Sequence, residues 1–284
     1  MASFTAACVQ LRSGKSVSRN AETAEALIRA AAQDGAEYVQ TPEMSNVLVK
    51  SREELLERIS VADDDPFLKM ARALAPELGI HLHLGSIAVQ AGGGKVANRA
   101  FLIAPNGSIA ATYDKIHMFD VDLPNGESWR ESATYAPGTR TVIADLPFAR
   151  IGMAVCYDIR FPAIFRTQAR QGAEVLTGPA AFTRQTGEAH WHVLQRARAI
   201  ENGAYVISAA QGGTHEDGRE TYGHSLVVNP WGKVVAELDG DEPGYVLADI
   251  EPDEVAKARG RIPAIANERE FVCEVADGLK EIPA

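Results

Sequence analysis

The segment Arg150-Ile-Gly-Met-Ala-Val-Cys156-Tyr-Asp-Ile-Arg-Phe-Pro162 is the most informative stretch of the 284-residue sequence. The apolar residues before Cys156 are typical of a buried strand, and Pro162 favours the start of a helix a few residues later. Cys156 therefore lies at a predicted strand-to-helix turn, where backbone N–H groups can surround a side chain at the sheet edge. This setting suits a nucleophile that generates an oxyanion, and it also fits an inert core cysteine.

Two helices are predicted before this segment. Apolar residues at steps of three and four indicate a helix from about Asn20 to Asp34, with Asn20 as its N-cap and Gly35 after its end. The pair Asp65-Pro66 marks the start of a second helix, because aspartate caps helix N-termini and proline is favoured at the first helical position. Gly79 is expected to end that helix in a left-handed conformation.

Strand-like segments alternate with these helices and with tight turns. A strand at Glu37–Gln40 follows the first helix, and another at His81–Gln90 follows the second. The turn Pro105-Asn106-Gly107 separates two further strand patterns, Ala100–Ala104 and Ser108–Ile116. Strands joined by helices in one place and by hairpins in another predict an α/β fold with mixed sheets.

A weak internal repeat suggests two similar halves. Gly35-Ala36-Glu37 and Gly172-Ala173-Glu174 each end a helical pattern and open a strand, and a proline, Pro42 or Pro179, follows seven residues after each glycine. A second matching pair consists of the hairpin sequences at residues 102–107 and 227–232. Chance recurrence of turn residues is the alternative. Because no linker divides the halves, residues 1–284 are interpreted as a single domain.

The charge balance restricts the classes of partner. The 28 basic and 38 acidic residues give a formal net charge of −10. A protein with this net charge repels phosphate backbones and anionic lipids. We therefore expect neither a nucleic acid nor a membrane as partner.

The cysteines and the apolar runs bear on the cellular location. Cys8, Cys156 and Cys273 lie far apart without CxxC spacing, which argues against a disulfide framework or a zinc ribbon. Cys8 and Cys273 are interpreted as structural. Free thiols are expected in a reducing compartment, and neither a charged leader nor an apolar run of about 18 residues is recognisable. The expected location is the cytoplasm.

A cysteine nucleophile requires a proton acceptor. The sequence contains seven histidines, and none can be paired with Cys156 from spacing alone. A carboxylate base with a nearby cation is the alternative. Glu43 and Lys115 each lie where a predicted strand ends, which is where sites assemble in α/β sheets, although a single charge at such a position is usually just solvated.

Other motifs favour structural interpretations. His81 and His83 share one face of a predicted strand, but no further ligand with recognisable spacing lies nearby, so they are interpreted as packing or surface residues. His190 and His192 lie in a helical pattern, where residues two apart do not share a face. The segment Gly92-Gly-Gly-Lys95 lacks the pattern of a phosphate loop and predicts a hairpin turn. No metal site is predicted.

Taken together, three segments carry a specific resemblance. Pro42-Glu43, Tyr113-Asp-Lys115 and Cys156-Tyr-Asp-Ile-Arg-Phe-Pro162, in this order and at these intervals, resemble the Glu-Lys-Cys signature of the nitrilase superfamily of carbon–nitrogen hydrolases. The resemblance covers nearly the whole chain. Later blocks, at residues 187–201 and 222–232, are similar to the Nit-type amidase branch, which contains deaminated glutathione amidases and omega-amidases.

The resemblance implies an α-β-β-α sandwich of two mixed sheets flanked by helices, which pairs into a homodimer or a larger even homo-oligomer. It implies that Cys156 is the nucleophile, Glu43 the general base and Lys115 the cation that stabilises the oxyanion, with the Tyr157 N–H as second donor. Glu131 corresponds to a further positioning glutamate. Glu127 lies close to it in the sequence and is the alternative for that role.

The resemblance also implies an activity. We expect hydrolysis of a small linear amide through a cysteine acyl-enzyme, with no metal or organic cofactor. Deaminated glutathione amidase is the favoured branch and omega-amidase the alternative, followed by N-carbamoyl or nitrile hydrolase. A non-catalytic binding protein with the same fold is the alternative from another class, against which the intact Glu, Lys and Cys positions argue.

Four residues are expected to contact the substrate: Tyr157, Arg160, Phe182 and Thr183. Arg160 would pair with a substrate carboxylate, and a structural salt bridge beneath the nucleophile turn is the alternative. Gln40-Thr41 precedes Pro42 where the family usually has apolar residues. The tail from Asn267 to Ala284 also departs from the branch pattern, so both features bear on specificity or assembly.

Overall fold

The helices and strands reproduce the predicted α/β pattern. The computed structural model describes residues 2–124 and 126–273. The helices in these residues are α1 Val17–Gln33, α2 Arg52–Arg58, α3 Pro66–Leu78, α4 Pro162–Arg170, α5 Arg184–Asn202 and α6 Pro252–Arg261. The strands are β1 Phe4–Gln10, β2 Tyr38–Gln40, β3 His81–Gln90, β4 Val96–Ile103, β5 Ile109–Asp114, β6 Asp120–Asp122, β7 Ser128–Arg130, β8 Val142–Asp145, β9 Arg150–Met153, β10 Val175–Thr177, β11 Tyr205–Ser208, β12 Gly212–Thr214, β13 Glu220–Tyr222, β14 Leu226–Val228, β15 Val234–Glu237 and β16 Gly244–Ile250.

Two six-stranded sheets have the same internal plan. Their orders are β16-β1-β2-β3-β4-β5 and β8-β9-β10-β11-β14-β15. In each sheet, the second to fourth strands are parallel to one another, and every other neighbouring pair of strands is antiparallel. Strand β2 therefore corresponds to β10, and the β4–β5 hairpin corresponds to the β14–β15 hairpin. These are the elements that the sequence repeat relates.

The layers form the predicted α-β-β-α sandwich. One apolar core combines side chains of both sheets, such as Tyr38, Leu102, Met153 and Val206. On the outer face of the first sheet, α1 and α3 pack through a second core that contains Ile28 and Phe67 among others. Helices α4 and α5 contact the second sheet. Both sheets are thus covered on both faces, which explains their nearly continuous apolar strands.

Polar side chains also join the two sheets. The Gln40 side-chain oxygen accepts a hydrogen bond from the Ala209 N–H at 2.9 Å, and Gln10 accepts one from the Ser225 N–H at 2.9 Å. Gln40 and Thr41 are fully buried. Of the two polar residues that depart from the family pattern before Pro42, Gln40 therefore satisfies a buried backbone group of the other sheet, and Thr41 Oγ1 accepts a hydrogen bond from the Gly85 N–H in its own sheet at 3.3 Å.

Most predicted boundaries agree with the structure. Asp65 accepts a hydrogen bond from the Leu68 N–H as the N-cap of α3, and Gly79 ends this helix in the left-handed region with φ 69°. The glycine segment at residues 92–94 lies in the β3–β4 hairpin, as predicted. Part of the predicted departure in the C-terminal tail, residues 274–284, lies outside the described residues.

The predicted start of the first helix is wrong by one turn. Helix α1 begins at Val17 with Ser16 as its N-cap, and Asn20 lies inside the helix. The Asn20 side chain is buried and exchanges hydrogen bonds with Gly14 and Asn46. Asparagine is a common N-cap residue, but here its amide links two loops.

No helix among the described residues is long and apolar enough to cross a membrane.

The close approach of Gly85 to Thr41 of its own half and to Pro179 of the opposite half generates a stability prediction. A Cβ atom on Gly85 would lie 2.1 Å from the Thr41 carbonyl oxygen and 2.4 Å from the Pro179 Cβ. We expect Gly85→Ala to lower the free energy of unfolding by about 1–3 kcal/mol or more, as overpacked cores do. Urea unfolding followed by circular dichroism measures this change.

Gly260→Ala is the matched control. Gly260 lies in α6 with no atom within 4 Å of an added Cβ, so alanine should raise the helix propensity and stabilise by up to about 1 kcal/mol. Equal effects of the two substitutions would contradict the close packing at Gly85.

Candidate active site

The candidate catalytic side chains come from strand ends of both sheets. Glu43 follows β2 and Lys115 follows β5 in the first sheet, whereas Cys156 follows β9 in the second. The Cys156 N–H donates to the Pro179 carbonyl at 2.9 Å, and the Ala181 N–H donates to Glu43 Oε2 at 2.9 Å. The residues after β10 therefore connect the nucleophile turn to the carboxylate of the other sheet.

A buried ammonium group lies between two carboxylates. Lys115 Nζ is 2.9 Å from Glu43 Oε1 and 2.8 Å from Glu131 Oε2. The Lys115 side chain is only 2% exposed. Glu131 Oε2 also accepts a hydrogen bond from the Phe119 N–H at 2.6 Å. Glu127 and Glu131 both line the cavity, and of these two glutamates it is Glu131 whose carboxylate contacts Lys115.

Asn98 is a member of the cluster that the sequence analysis missed. Its Nδ2 donates to Glu43 Oε1 at 2.9 Å and to Glu131 Oε1 at 3.2 Å. The backbone carbonyl of Asn98 also accepts a hydrogen bond from the Lys115 N–H at 3.0 Å. Its position in the middle of β4 carries no motif, and only the register of the sheet brings it to the site.

The turn that presents Cys156, the candidate nucleophile, has a strained backbone. Cys156 has φ 51°, in the left-handed region that residues with a Cβ rarely adopt. It begins a 3₁₀ turn over Cys156–Arg160. The Tyr157 N–H belongs to the first turn, whose amides have no partner within a helix, and so it can donate to another acceptor.

A buried carboxylate holds this turn. Asp158 Oδ2 accepts hydrogen bonds from the Tyr113 hydroxyl at 2.6 Å and from the Val155 N–H at 2.9 Å. Asp158 Oδ1 accepts from the His117 N–H at 3.0 Å. The motif residues Tyr113 and Asp158 therefore tie the Lys115 segment to the nucleophile turn.

The electrostatic environment keeps the thiol protonated. Burial raises the pKa of Cys156 well above its usual value, and the Glu43 carboxylate raises it further, although Lys115 opposes both effects. Burial would also raise the pKa of Glu43, but Lys115 and the hydrogen bonds outweigh it and lower that pKa. The pKa of Lys115 is raised because Glu131 and Glu43 outweigh its desolvation. The resting site thus holds a thiol beside a carboxylate and an ammonium.

The predicted substrate-contacting residues line one cavity with the catalytic set. This cavity has a volume of about 900 Å³ and includes Cys156, Tyr157, Arg160, Phe182 and Thr183 in its wall. Thr183 is also the N-cap of α5. The volume is sufficient for a small linear molecule.

Arg160 has no carboxylate partner among the ion pairs of the described residues. Its guanidinium contacts His190 Nδ1 at 3.2 Å and lies 5.4 Å from the Phe182 ring and 5.9 Å from the Tyr157 ring. The structural salt bridge that the sequence analysis gave as the alternative is not observed among the described residues. The guanidinium lies in the cavity wall instead.

The other cysteines and the strand histidines lie elsewhere. Cys8 is fully buried in β1, which raises its pKa to about 12, and Cys273 is exposed. An exposed residue does not fit the structural role that was predicted for Cys273. His83 is buried, which lowers its pKa to about 3, and it contacts the Tyr38 hydroxyl at 2.6 Å. His83 is thus a packed core residue.

Comparison with known proteins identifies the class. Residues 5–260 match the family model described as carbon–nitrogen hydrolase, and the chain belongs to this family. The family consists of hydrolases that act on carbon–nitrogen bonds other than peptide bonds, and the chain is such an enzyme. The match includes the strands that position Glu43, Lys115 and Cys156.

Among individual relatives, the chain is similar to two kinds of amidase. The chain is 40% identical over 276 residues to a deaminated glutathione amidase of Synechocystis sp., which covers 96% of this chain and 100% of the relative. It is 36% identical over 271 residues to the human omega-amidase NIT2, covering 95% and 96% of the two chains. Among solved structures, the NitFhit protein of Caenorhabditis elegans has a TM-score of 0.88 at 33% identity and covers 94% of this chain and 65% of its own.

The opposite effects of Glu43 and Lys115 on the thiol generate a test by alkylation. Glu43→Gln removes the neighbouring anion and should lower the pKa of Cys156, which increases the iodoacetamide rate near neutral pH. Lys115→Met removes the cation and should raise that pKa, which decreases the rate. Rates are measured against pH on a Cys273→Ser background, since Cys273 is exposed. If both substitutions shifted the pKa of Cys156 in the same direction, the charges assigned to Glu43 and Lys115 would be contradicted.

Proposed function

We propose that the chain is a thiol amidase that hydrolyses a small linear amide through an acyl-enzyme on Cys156. The contact of Lys115 Nζ with the Glu43 carboxylate, in the cavity that contains Cys156, is the observation that carries the proposal. A non-catalytic binding protein would not need three buried ionisable groups at strand ends. We further infer that residues 1–284 act as one domain.

In the first half of the reaction, Glu43 takes the thiol proton while the sulfur attacks the amide carbon. The lowered pKa of Glu43 keeps this carboxylate available as a base. The resulting oxyanion accepts hydrogen bonds from Lys115 Nζ and the Tyr157 N–H. When the intermediate collapses, the carbon–nitrogen bond breaks, the proton on Glu43 moves to the leaving amine, and a thioester remains.

In the second half, water replaces the amine. Glu43 takes a proton from water, and the hydroxide oxygen attacks the thioester carbon. The same two donors stabilise the second oxyanion. Collapse breaks the carbon–sulfur bond, the proton on Glu43 returns to the sulfur, and the carboxylic acid leaves. Glu131 and Asn98 act as positioning residues, because they contact Lys115 and Glu43.

The substrate class is argued from charge. Cationic side chains outnumber carboxylates in the cavity wall, seven to five, although the net charge of the chain is −10. The cationic ones are Lys50, Arg52, Lys115, Arg130, Arg160, Arg184 and Arg219. Glutathione that has lost its amino group keeps two carboxylates and no ammonium group. A cavity lined by guanidinium groups suits such a dianion. We therefore propose deaminated glutathione as the substrate.

Arg160 is proposed to bind a substrate carboxylate, because its guanidinium contacts uncharged aromatic faces and an imidazole nitrogen rather than a carboxylate. Tyr157, Phe182 and Thr183 would form the surrounding wall. Omega-amidase activity on 2-oxo-acid amides is the second candidate, favoured by the similarity to the human omega-amidase NIT2. The two candidates differ in whether the leaving group is a dipeptide or ammonia.

Covalent catalysis is tested first. Mass spectrometry of the protein mixed with deaminated glutathione should show one acyl adduct on Cys156. Glu43→Gln should lower kcat by about 10²- to 10⁴-fold, because a lost general base costs that much. Cys156→Ala should abolish turnover and leave the circular dichroism spectrum unchanged, and Cys8→Ala is its control. Full activity of Cys156→Ala would exclude the mechanism.

Substrate choice is tested with the same protein. Release of amine or ammonia is measured for deaminated glutathione, 2-oxo-acid amides, N-carbamoyl amino acids and nitriles. Deaminated glutathione should have the largest kcat/KM, and Arg160→Met should raise its KM more than that of an uncharged amide. A larger kcat/KM for the 2-oxo-acid amides would favour the second candidate.

A homodimer is proposed for the assembly. Three apolar side chains form an exposed patch on α5 and the β14–β15 turn: Val193 is 67% exposed, Ile200 53% and Trp231 56%. The seven-residue spacing of Val193 and Ile200 places them on one helix face. A second copy covering this patch would remove it from water.

A cytoplasmic location is also proposed, because Cys8 and Cys156 are free thiols and free thiols are typical of reducing compartments.

Light scattering tests this assembly. The wild type should have at least twice the 30.5 kDa mass of one chain. Introducing charge with the double substitution Ile200→Glu and Trp231→Glu should produce monomers. Val61→Glu, at an exposed apolar residue elsewhere, is the control and should leave the mass unchanged. A monomeric wild type at micromolar concentration would exclude the dimer.

A further inference from the structure

Two histidines and a glutamate converge outside the candidate active site. His192 lies on α5, His224 precedes β14, and Glu237 ends β15. Nitrogen and oxygen atoms of these side chains all lie within 4.8 Å of one another. His192 Nε2 is 2.6 Å and His224 Nδ1 3.2 Å from the same atom, Glu237 Oε1. None of the three residues belongs to the wall of the catalytic cavity.

The donor set is one that divalent transition metals prefer. Two imidazole nitrogens and one carboxylate oxygen are common protein ligands of Zn²⁺, at about 2.0–2.2 Å from the ion. Ligand atoms around a tetrahedral zinc ion are about 3.4 Å apart by that geometry. The two separations from Glu237 Oε1, 2.6 and 3.2 Å, are shorter than this distance, so binding an ion requires the imidazole nitrogens to move away from that oxygen by less than about 1 Å. All three side chains are partly exposed, which leaves a coordination position for water.

The backbone fixes one ligand in place. His224 has φ 55° and is one of three residues other than glycine with positive φ among the described residues. The other two are Met44, next to Glu43, and Cys156. The His224 carbonyl accepts a hydrogen bond from Trp191 Nε1 at 2.8 Å, and its ring stacks on Tyr222 with centroids 4.2 Å apart. Strained backbone that the surroundings hold in this way is concentrated at functional sites.

We propose that His192, His224 and Glu237 bind one divalent transition-metal ion, such as Zn²⁺, as a structural clamp. The ion would join α5 to β15 and to the segment before β14. That segment adjoins Tyr222, the last residue of β13, which supports the cavity wall. The Tyr222 N–H donates to the Phe182 carbonyl at 3.0 Å, and the Tyr222 ring packs where Gly187 has no side chain. The clamp therefore stabilises the wall and takes no part in the reaction at Cys156.

Metal titration tests the clamp. Untagged, chelator-treated Cys156→Ala protein is titrated with ZnCl₂ in a calorimeter, so that the catalytic thiol cannot contribute. One ion per chain should bind and raise the melting temperature. Co²⁺ should bind with the absorption bands of nitrogen and oxygen ligands. His192→Gln and Glu237→Gln should each weaken binding by at least about 10-fold, since even outer-shell changes can have effects of that size.

His190→Gln is the matched control, because His190 lies on the same helix but outside the cluster. It should bind Zn²⁺ as the parent does. Absence of binding by the parent would overturn the proposal and leave a hydrogen-bonded His-Glu-His group only. Equal binding by the parent, His192→Gln and Glu237→Gln would overturn it as well, by placing the ion elsewhere. Since Glu237→Gln changes a strand-end residue and His192→Gln a helix surface residue, misfolding of one leaves the other as the test.

Discussion

The buried ammonium group of Lys115 is the constraint on which the site depends. Removing an ion of this size from water costs several kcal/mol even after relaxation. The carboxylates of Glu43 and Glu131 offset that cost at 2.9 and 2.8 Å. Removal of either carboxylate would leave Lys115 with one anionic partner, whereas removal of Lys115 would leave both buried carboxylates without their cation. Loss of a partner from a buried pair typically costs about 3–5 kcal/mol. Asn98 and the Phe119 N–H satisfy further lone pairs of the same carboxylates.

This charge arrangement also determines how the thiol is activated. Two carboxylates and one ammonium leave the cluster with a net negative charge, and burial adds to the preference for an uncharged sulfur. On the proposed mechanism, the nucleophile is therefore generated only when Glu43 accepts the proton during attack. A thiol kept protonated in this way is less prone to oxidation than a cysteine that is deprotonated in the resting protein, because the thiolate is the reactive form.

The sequence predicts those parts of the site that depend on local pattern. Strand ends at Glu43, Lys115 and Cys156 are visible in the apolar periodicity, and the cap at Asp65 follows from residue type alone. The predicted start of α1 is wrong because the side-chain amide of Asn20 donates a hydrogen bond to the Asn46 carbonyl and does not cap the helix. No local pattern in the sequence shows this. Asn98 and the group of His192, His224 and Glu237 are missed for a related reason. Their neighbours are set by sheet register and helix packing, so spacing along the chain carries no signal for them.

The division of the site between two sheets has a consequence for the newly made chain. Glu43 and Lys115 belong to the first half of the fold and Cys156 to the second, and the Ala181 N–H meets Glu43 only when the halves have docked. Until then the Cys156 thiol lacks the neighbouring Glu43 carboxylate, which is the proposed general base. On the proposed mechanism, an incompletely folded chain therefore has no amidase activity. Turnover thus reports completed assembly of the sandwich, so loss of activity on heating should coincide with separation of the sheets.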